Sequence, residues 1–312
     1  AVVLLQQLKS KERPSWRALQ RLKNKVLGLR GLWDRPTVYR QEPFHGPLVS
    51  VVTPCFNHGE HVNDWLTCLQ NQTLEDFEIL FVDDGSTDSA TIEAIDALEH
   101  KEVQNLRVIR QANQGVIAAR NRAIAEARGK YVFPLDADDT IDKTFLEKCV
   151  LFLEHAPPFV FAYTWTYSLG EDPFVWQTQD SDPLELLREN RVGQIVCPRE
   201  ALTSIGGYSS VMQEGYEDWE LAVNLVRNGW VGKVIPEPLY EYHVQPGSRN
   251  HDANQLHETL TRRINDLHAP DIQGSLKSLV AKKNSAWRVE NPLINLQRTG
   301  NDKECLLVDL AV

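Results

Sequence analysis

Three carboxylates close an apolar run. The hydrophobic stretch Tyr131–Leu135 ends in Asp136, Asp138 and Asp139. Like charges this close repel unless a cation or hydrogen bonds compensate them. A cluster of oxygen ligands suits a hard divalent ion, Mg²⁺ or Mn²⁺, which would hold a diphosphate and neutralise its charge as it leaves. The plain alternative is a solvated acidic turn. A further acid, Asp218, stands in Gly215-Tyr216-Glu217-Asp218-Trp219-Glu220 at a helix start. There it can simply complement the helix dipole. As a general base it would instead draw the proton from an acceptor hydroxyl while a bond forms. Gly206, Gly207, Glu217 and Trp219 are the candidate acceptor contacts around it. The two glycines allow close backbone approach, or merely stop a helix.

Two more groups could serve the same chemistry. Pro54-Cys55-Phe56-Asn57 follows a β-branched run, and Asp84 lies in Asp83-Asp84-Gly85-Ser86-Thr87-Asp88. An aromatic such as Phe56 can stack on a flat base, and a carboxylate such as Asp84 can accept from a base N–H. Taken singly, Phe56 also suits a core and Asp84 a turn. His243 ends Tyr240-Glu241-Tyr242-His243 and, as a neutral imidazole, is a candidate metal ligand or a satisfied structural residue.

The elements that position these groups alternate. Leu48–Thr53 reads as a strand, Glu60–Gln70 as a helix, and Phe77–Val82 as a strand. A helix capped by Asp88 or Ser89 follows, then a strand over Leu106–Ile109. Gly115–Arg128 reads as an Ala-rich helix stopped by Gly129, carrying Arg120, Asn121 and Arg122 in one turn, and Tyr131–Leu135 as the fourth strand. Strand–helix alternation predicts an α/β fold with a mostly parallel sheet covered on both faces. Right-handed crossovers gather these strand ends at one edge, so the loops 54–58, 83–88 and 136–139 should meet.

Further along, helices are expected over Asp142–His155, Leu184–Glu189, Glu200–Ile205 and Asp218–Arg227, with strands over Phe159–Leu169 and Gln194–Cys197. Val231–Ile235 and Leu239–His243 read as two strands split by Pro236 and Pro238. Residues 250–290 read as a helical tail, and residues 1–30 as a basic amphipathic helix ahead of a proline-marked linker over residues 31–47. That first helix reads either as a surface for acidic membrane or as an ordinary docking helix.

Charge narrows the partners. The net charge of −10 divides into +7 over residues 1–46, from ten Lys/Arg and three Asp/Glu, and −17 over the rest. An acidic body argues against nucleic acid. Five cysteines, Cys55, Cys68, Cys149, Cys197 and Cys305, show no framework spacing and read as free thiols in a reducing compartment. No signal peptide or bilayer-spanning run is visible. The absence of an initial Met and the apolar ending Cys305–Val312 suggest a piece of a longer, multidomain chain.

Taken together, VSVVTPCFNHGEHV, CLQNQTLEDFEILFVDDGSTD, NQGVIAARNRAI, ARGKYVFPLDADD, IGGYSS and GYEDWELAVNLVRNG, in that order from about Leu48 to His243, resemble family 2 glycosyltransferases of the GT-A (nucleotide-diphospho-sugar transferase) fold. The resemblance implies an inverting transfer of a sugar from a nucleotide donor, usually a UDP-sugar, to a glycan or lipid-linked hydroxyl. It implies that Pro54, Cys55, Phe56, Asn57 and Asp84 hold the base, that Arg120 and Asn121 line the donor pocket, and that Asp136, Ala137, Asp138 and Asp139 form the DxD region touching ribose and Mn²⁺ or Mg²⁺. Asp218 matches the catalytic base, and His243 falls where many members place a histidine near metal or diphosphate. Cys55 replaces the commoner small hydroxyl residue, which matters little if the loop contacts the base through its backbone. The implied division is a basic extension over residues 1–46, a GT-A domain over 47–249 and a helical extension over 250–312. A cytoplasmic enzyme, or one peripheral at the inner membrane face and active in bacterial surface polysaccharide synthesis, fits this pattern. The competing readings are a nucleotidyltransferase, which normally carries a GxGTR-type loop where PCFNHG stands, and a non-catalytic nucleotide-sugar binding module.

Overall fold

The computed structural model describes residues 44–287 except 102, 171–172 and 245–248. The helix expected over residues 1–30 and the apolar run at 305–312 lie outside the described residues. From β1 (Val49–Cys55) the chain alternates through α1 (Val62–Gln70), β2 (Phe77–Asp83), α2 (Ser89–His100), β3 (Leu106–Arg110), α3 (Val116–Glu126) and β4 (Tyr131–Pro134). β1 is buried along its whole length. Successive strand residues point to opposite faces, so both faces of β1 must be covered. Thr53 accepts from the Trp65 indole of α1 at 3.1 Å, while Val52 packs in a core with Ile117, Ala119 and Ala123 of α3. α2 is capped by Asp88, whose carboxylate accepts from Thr91 N at 2.8 Å.

The chain continues through β5 (Thr140–Ile141), α4 (Phe145–His155), β6 (Val160–Leu169), β7 (Phe174–Trp176), β8 (Ile195–Pro198) and α5 (Arg199–Ile205). The last described elements are α6 (Glu217–Arg227), β9 (Val231–His243), α7 (Arg249–Gln255) and α8 (His257–Trp287). The sheet runs β3-β2-β1-β4-β8-β6-β9-β5, with β7 on β6. Among the described strands, β1, β2, β3, β4, β6 and β9 point one way and β5, β7 and β8 the other. The expected mostly parallel α/β sheet is therefore present, with antiparallel strands in its second half. Cys55 pairs with Asp83 and Asp83 with Arg110, so the strand ends that carry the candidate loops lie side by side.

Four local expectations change. α3 ends at Glu126 with Ala127 extended, not at Arg128 on a glycine stop. Gly129 serves close approach instead: a Cβ there would stand 2.4 Å from Ser50 N. The segment Leu184–Glu189 is a run of turns, anchored by Asp182, whose side chain accepts from Leu184 N at 3.0 Å. β9 runs unbroken through Pro236 and Pro238, absorbing them where its register with β6 shifts around Trp165. An irregularity of this kind is where a strand tolerates the missing N–H. α4 begins at Phe145 because the Asp142 carboxylate is engaged by Thr144 N and Oγ1 at 2.9 and 2.6 Å.

The C-terminal helices belong to the core. Leu260, Ile264, Ile272 and Leu279 of α8 pack in one cluster with Leu225 of α6 and Ala123 of α3. No helix among the described residues is long and apolar enough to cross a membrane.

Candidate active site

Arg120 gathers the site. It sits on the inward face of α3 with its side chain only 2% exposed, and an arginine keeps its charge at any working pH. Its guanidinium donates to both oxygens of Asp136 at 2.6 and 2.9 Å, to Glu217 at 2.9 Å and to Asp218 at 3.3 Å. The end of β4 and the first turn of α6 are thereby held by one side chain. One terminal nitrogen serves both Asp136 oxygens and the other serves Glu217 and Asp218, so charge-assisted hydrogen bonds from one group hold all three acids.

Asp218 has two partners on one oxygen: Arg120 and the Tyr208 hydroxyl, which donates to Oδ1 at 2.9 Å. Its acidity is pushed to about 6, by burial first and by the neighbouring charges of Glu217 and Asp136, against the opposing pull of Arg120 and Tyr208. The side chain remains 32% exposed, so a partly sheltered carboxylate, basic enough to take a proton near neutral pH, reaches the surface.

The acid cluster divides by role. Asp139 is buried and turned away: the Tyr240 hydroxyl donates to Oδ2 and His243 N to Oδ1 at 2.9 Å. Burial, then Asp136 and Asp138, hold its carboxyl well above the usual carboxylate range. Its place as a metal ligand is therefore corrected to an anchor for the end of β9. Asp138 is raised by burial and by Asp136, with His58 and His61 pulling the other way. The His243 ring Nδ1 lies 4.0 Å from Asp139 Oδ1, so β9 does bring this histidine to the cluster.

Among the described residues no three His, Cys, Asp or Glu converge as a metal-binding group. Mg²⁺-type ions, however, are commonly held by one or two carboxylates together with substrate phosphate oxygens. Asp138 and Asp136 are the two carboxylates this loop would offer such an ion, and Arg120 already engages both oxygens of Asp136.

The loops after β1 and β2 are stapled together. Asn57, at φ 57°, accepts through Oδ1 from Thr87 N and Asp88 N at 2.8 and 3.2 Å. Asp84 is buried and accepts from Gln111 Nε2, Gln114 N and Gly115 N at 2.8, 2.9 and 2.7 Å. It ties the segment leading into α3 to the end of β2. Phe56 is 39% exposed at this edge, while Pro54 and Cys55 are buried. Burial pushes the Cys55 thiol up to about 12, which keeps it inert. Ala137 is buried.

Several expected contacts take other roles. The Asn121 amide is engaged at both ends by the Tyr208 backbone, accepting from N at 2.8 Å and donating to O at 2.9 Å. Trp219 is buried, and its indole donates to Leu186 O at 2.7 Å. It is a core anchor and not an acceptor contact. Glu217 is buried against Arg120. Gly206 closes α5 in the left-handed region at φ 81°. At Gly207, φ 76°, a Cβ would stand 2.4 Å from Asn121 Oδ1, so this glycine lets the Asn121 clamp close.

The profile of glycosyl transferase family 2 matches residues 50–219, more than half of the chain. The chain belongs to glycosyltransferase family 2. The matched span of this family 2 glycosyltransferase starts within β1 and ends one residue past Asp218, enclosing Arg120, the acid cluster and the base candidate. It is 35% identical over 202 residues to a putative teichuronic acid biosynthesis glycosyltransferase of Bacillus subtilis, TuaG, covering 63% of this chain and 79% of that one. It is 36% identical over 107 residues to an uncharacterized glycosyltransferase of Haemophilus influenzae, and there spans 42% of the relative's length and 34% of its own. Among solved structures, S. aureus TarS 1–349 in complex with UDP-GlcNAc shares the GT-A fold, with a TM-score of 0.58, 21% identity, and coverage of 72% of this chain and 66% of that one.

In this family 2 glycosyltransferase, the residue missed by sequence reading is Tyr208. A tyrosine after a glycine pair carries no chemical signal, since its partner Asp218 is brought near only by the packing of α5 and α6.

Proposed function

We propose that this enzyme transfers a sugar from a UDP-sugar to a hydroxyl of a glycan or lipid-linked acceptor, in one displacement with inversion. The observation that carries the reading is the single buried guanidinium holding Asp136 and Asp218 together. It places the acid cluster next to a carboxylate poised near neutral pH. The UDP-GlcNAc in the TarS complex supports a uridine donor, and the name of TuaG supports a bacterial surface polysaccharide as acceptor.

Asp218 takes the acceptor proton as the acceptor oxygen attacks the anomeric carbon. Phe56 offers a face to the base, and the stapled loops around Asn57 and Asp84 shape that end of the site. Arg120 holds Asp136 where it can meet the ribose. Asp138, with Asp136, would hold Mn²⁺ or Mg²⁺, which when bound supplies charge neutralisation for the diphosphate.

General-base assistance is worth roughly 10²–10⁴ in rate. Asp218→Asn should keep UDP affinity with Mn²⁺, measured by calorimetry, while sugar transfer falls by at least ~100-fold. Normal turnover by that variant would sink the assignment. Asp138→Ala should abolish the Mn²⁺-dependent part of UDP binding, and an unchanged affinity in the presence of Mn²⁺ would reject the metal site. A screen of UDP-, GDP- and dTDP-sugars for metal-dependent hydrolysis selects the donor.

A further inference from the structure

Two consecutive residues of α3 act on one carboxylate by different routes. Arg120 pairs with Asp218 directly, at 3.3 Å. Asn121 clamps the Tyr208 backbone at both N and O, and Tyr208 then donates its hydroxyl to Asp218 Oδ1 at 2.9 Å. The tyrosine ring lies under the Arg120 guanidinium, 5.0 Å from its carbon to the ring centroid. Tyr208 is itself 2% exposed, and its phenol is held protonated by burial and by the charge of Asp218. Backbone, ring and hydroxyl are thus each fixed by a separate contact.

Asp218 Oδ1 therefore receives both Arg120 and Tyr208, while Oδ2 accepts no hydrogen bond from the described residues and is not sealed in the interior. We propose that Tyr208 is a positioning residue for the base: its hydroxyl fixes Asp218 Oδ1 and leaves Oδ2 as the oxygen that takes the acceptor proton. The proposal rests on the reading of Asp218 as the general base. In the step itself, the acceptor O–H proton passes to Oδ2 and the freed electron pair of that oxygen forms the bond to the anomeric carbon. The bond from that carbon to the diphosphate breaks, and its pair leaves with the nucleotide.

The groups facing Asp218 are Arg120 from α3, Asp136 from the loop after β4, Glu217 beside it in α6 and Tyr208 from the segment after α5. Of these, Tyr208 is the neutral donor, so it can be altered without changing the charge count. Its donation favours the ionised carboxylate. Removing the hydroxyl alone should raise the pKa of the base and free the carboxylate to rotate.

The test is Tyr208→Phe in the full chain, which keeps the ring under Arg120. With the UDP-sugar chosen by the donor screen, kcat at pH 7 should fall roughly 10-fold, a fraction of the roughly 10²–10⁴ that general-base help is worth in full. The acid limb of the pH profile should move to higher pH, and UDP affinity with Mn²⁺ should stay within twofold. Placing 3-fluorotyrosine at position 208 keeps the shape and makes a stronger donor, so the limb should move to lower pH. An unmoved limb in the folded phenylalanine variant overturns the proposal. Should that variant fail to fold, an unmoved limb in the fluorotyrosine protein does the same. If Asp218→Asn retains turnover, the base reading itself has failed. If Asp218→Asn is inactive while Tyr208→Phe matches the native profile, only the positioning claim falls.

Discussion

At the scale of the residue, the strongest tension lies in Asp218. Its proton is held to about pH 6 in the folded chain against an ordinary value of 3.8. The folded state then binds this proton more tightly than the unfolded state does. The associated stability is present below about pH 4 and is lost as the pH rises through about 6. Asp218→Asn imitates the neutral acid and keeps an oxygen for Arg120 and Tyr208. It should therefore melt at a higher temperature than the native protein at pH 7.5, with the gap closing below about pH 4. A melting series over pH checks this, and a lower melting temperature at pH 7.5 would contradict it. Stability set aside for a charged group is a common feature of functional sites.

At the scale of the element, α6 is held from behind by the C-terminal helices. His268 of α8 meets Glu220 of α6 at 2.6 Å with both side chains buried, and Arg227 meets Asp271 at 2.7 Å. Ahead of the helix, the Tyr216 hydroxyl contacts Asn254 and His257, and Arg263 donates to Val211 O at 2.7 Å and Glu214 at 2.6 Å. The start of α6, which carries Asp218, is thus braced on its outer side. His268→Ala leaves the Glu220 carboxylate buried without this partner, which should cost about 2–4 kcal/mol in urea unfolding. A loss below about 0.5 kcal/mol, the usual surface value, would show that α8 does not brace α6.

At the scale of the whole molecule, charge separates along the chain, with +7 in residues 1–46 and −17 in the remainder. Exposed basic residues gain roughly 1 kcal/mol each near an anionic bilayer, and an acidic surface is repelled from it. Sedimentation with phosphatidylserine vesicles should carry down the full chain but not a chain lacking residues 1–46, and salt should weaken the binding. Equal binding by both chains would reject a membrane role for that segment.

By itself the sequence determined the alternation of β1 through β4 and the gathering of their ends. Long apolar runs and helical periodicity are local signals, and the crossover rule converts them into an edge. The same logic put the strands that lead to Asp84 and Asp136 on either side of β1, and the order of the motifs was enough to name the family. The sequence left open what each side chain touches. Arg120 and Asp218 are 98 residues apart, and Tyr208 and Asn121 are 87 apart, so their contacts exist only once α3, α5 and α6 are packed. Asp139 read as a further candidate ligand beside Asp136 and Asp138, and only Tyr240, brought in by β9, shows it drawn into the interior. Trp219 looked available beside the base, yet helical phase and the Leu186 carbonyl turn it inward. The very short strands β5 and β7 have too few residues for a periodic signal and depend on partners distant in the chain. Local patterning sets which elements form and in what order. Which acid faces a substrate and which is buried is decided by long-range packing, because burial and neighbouring charge are properties of the assembled site.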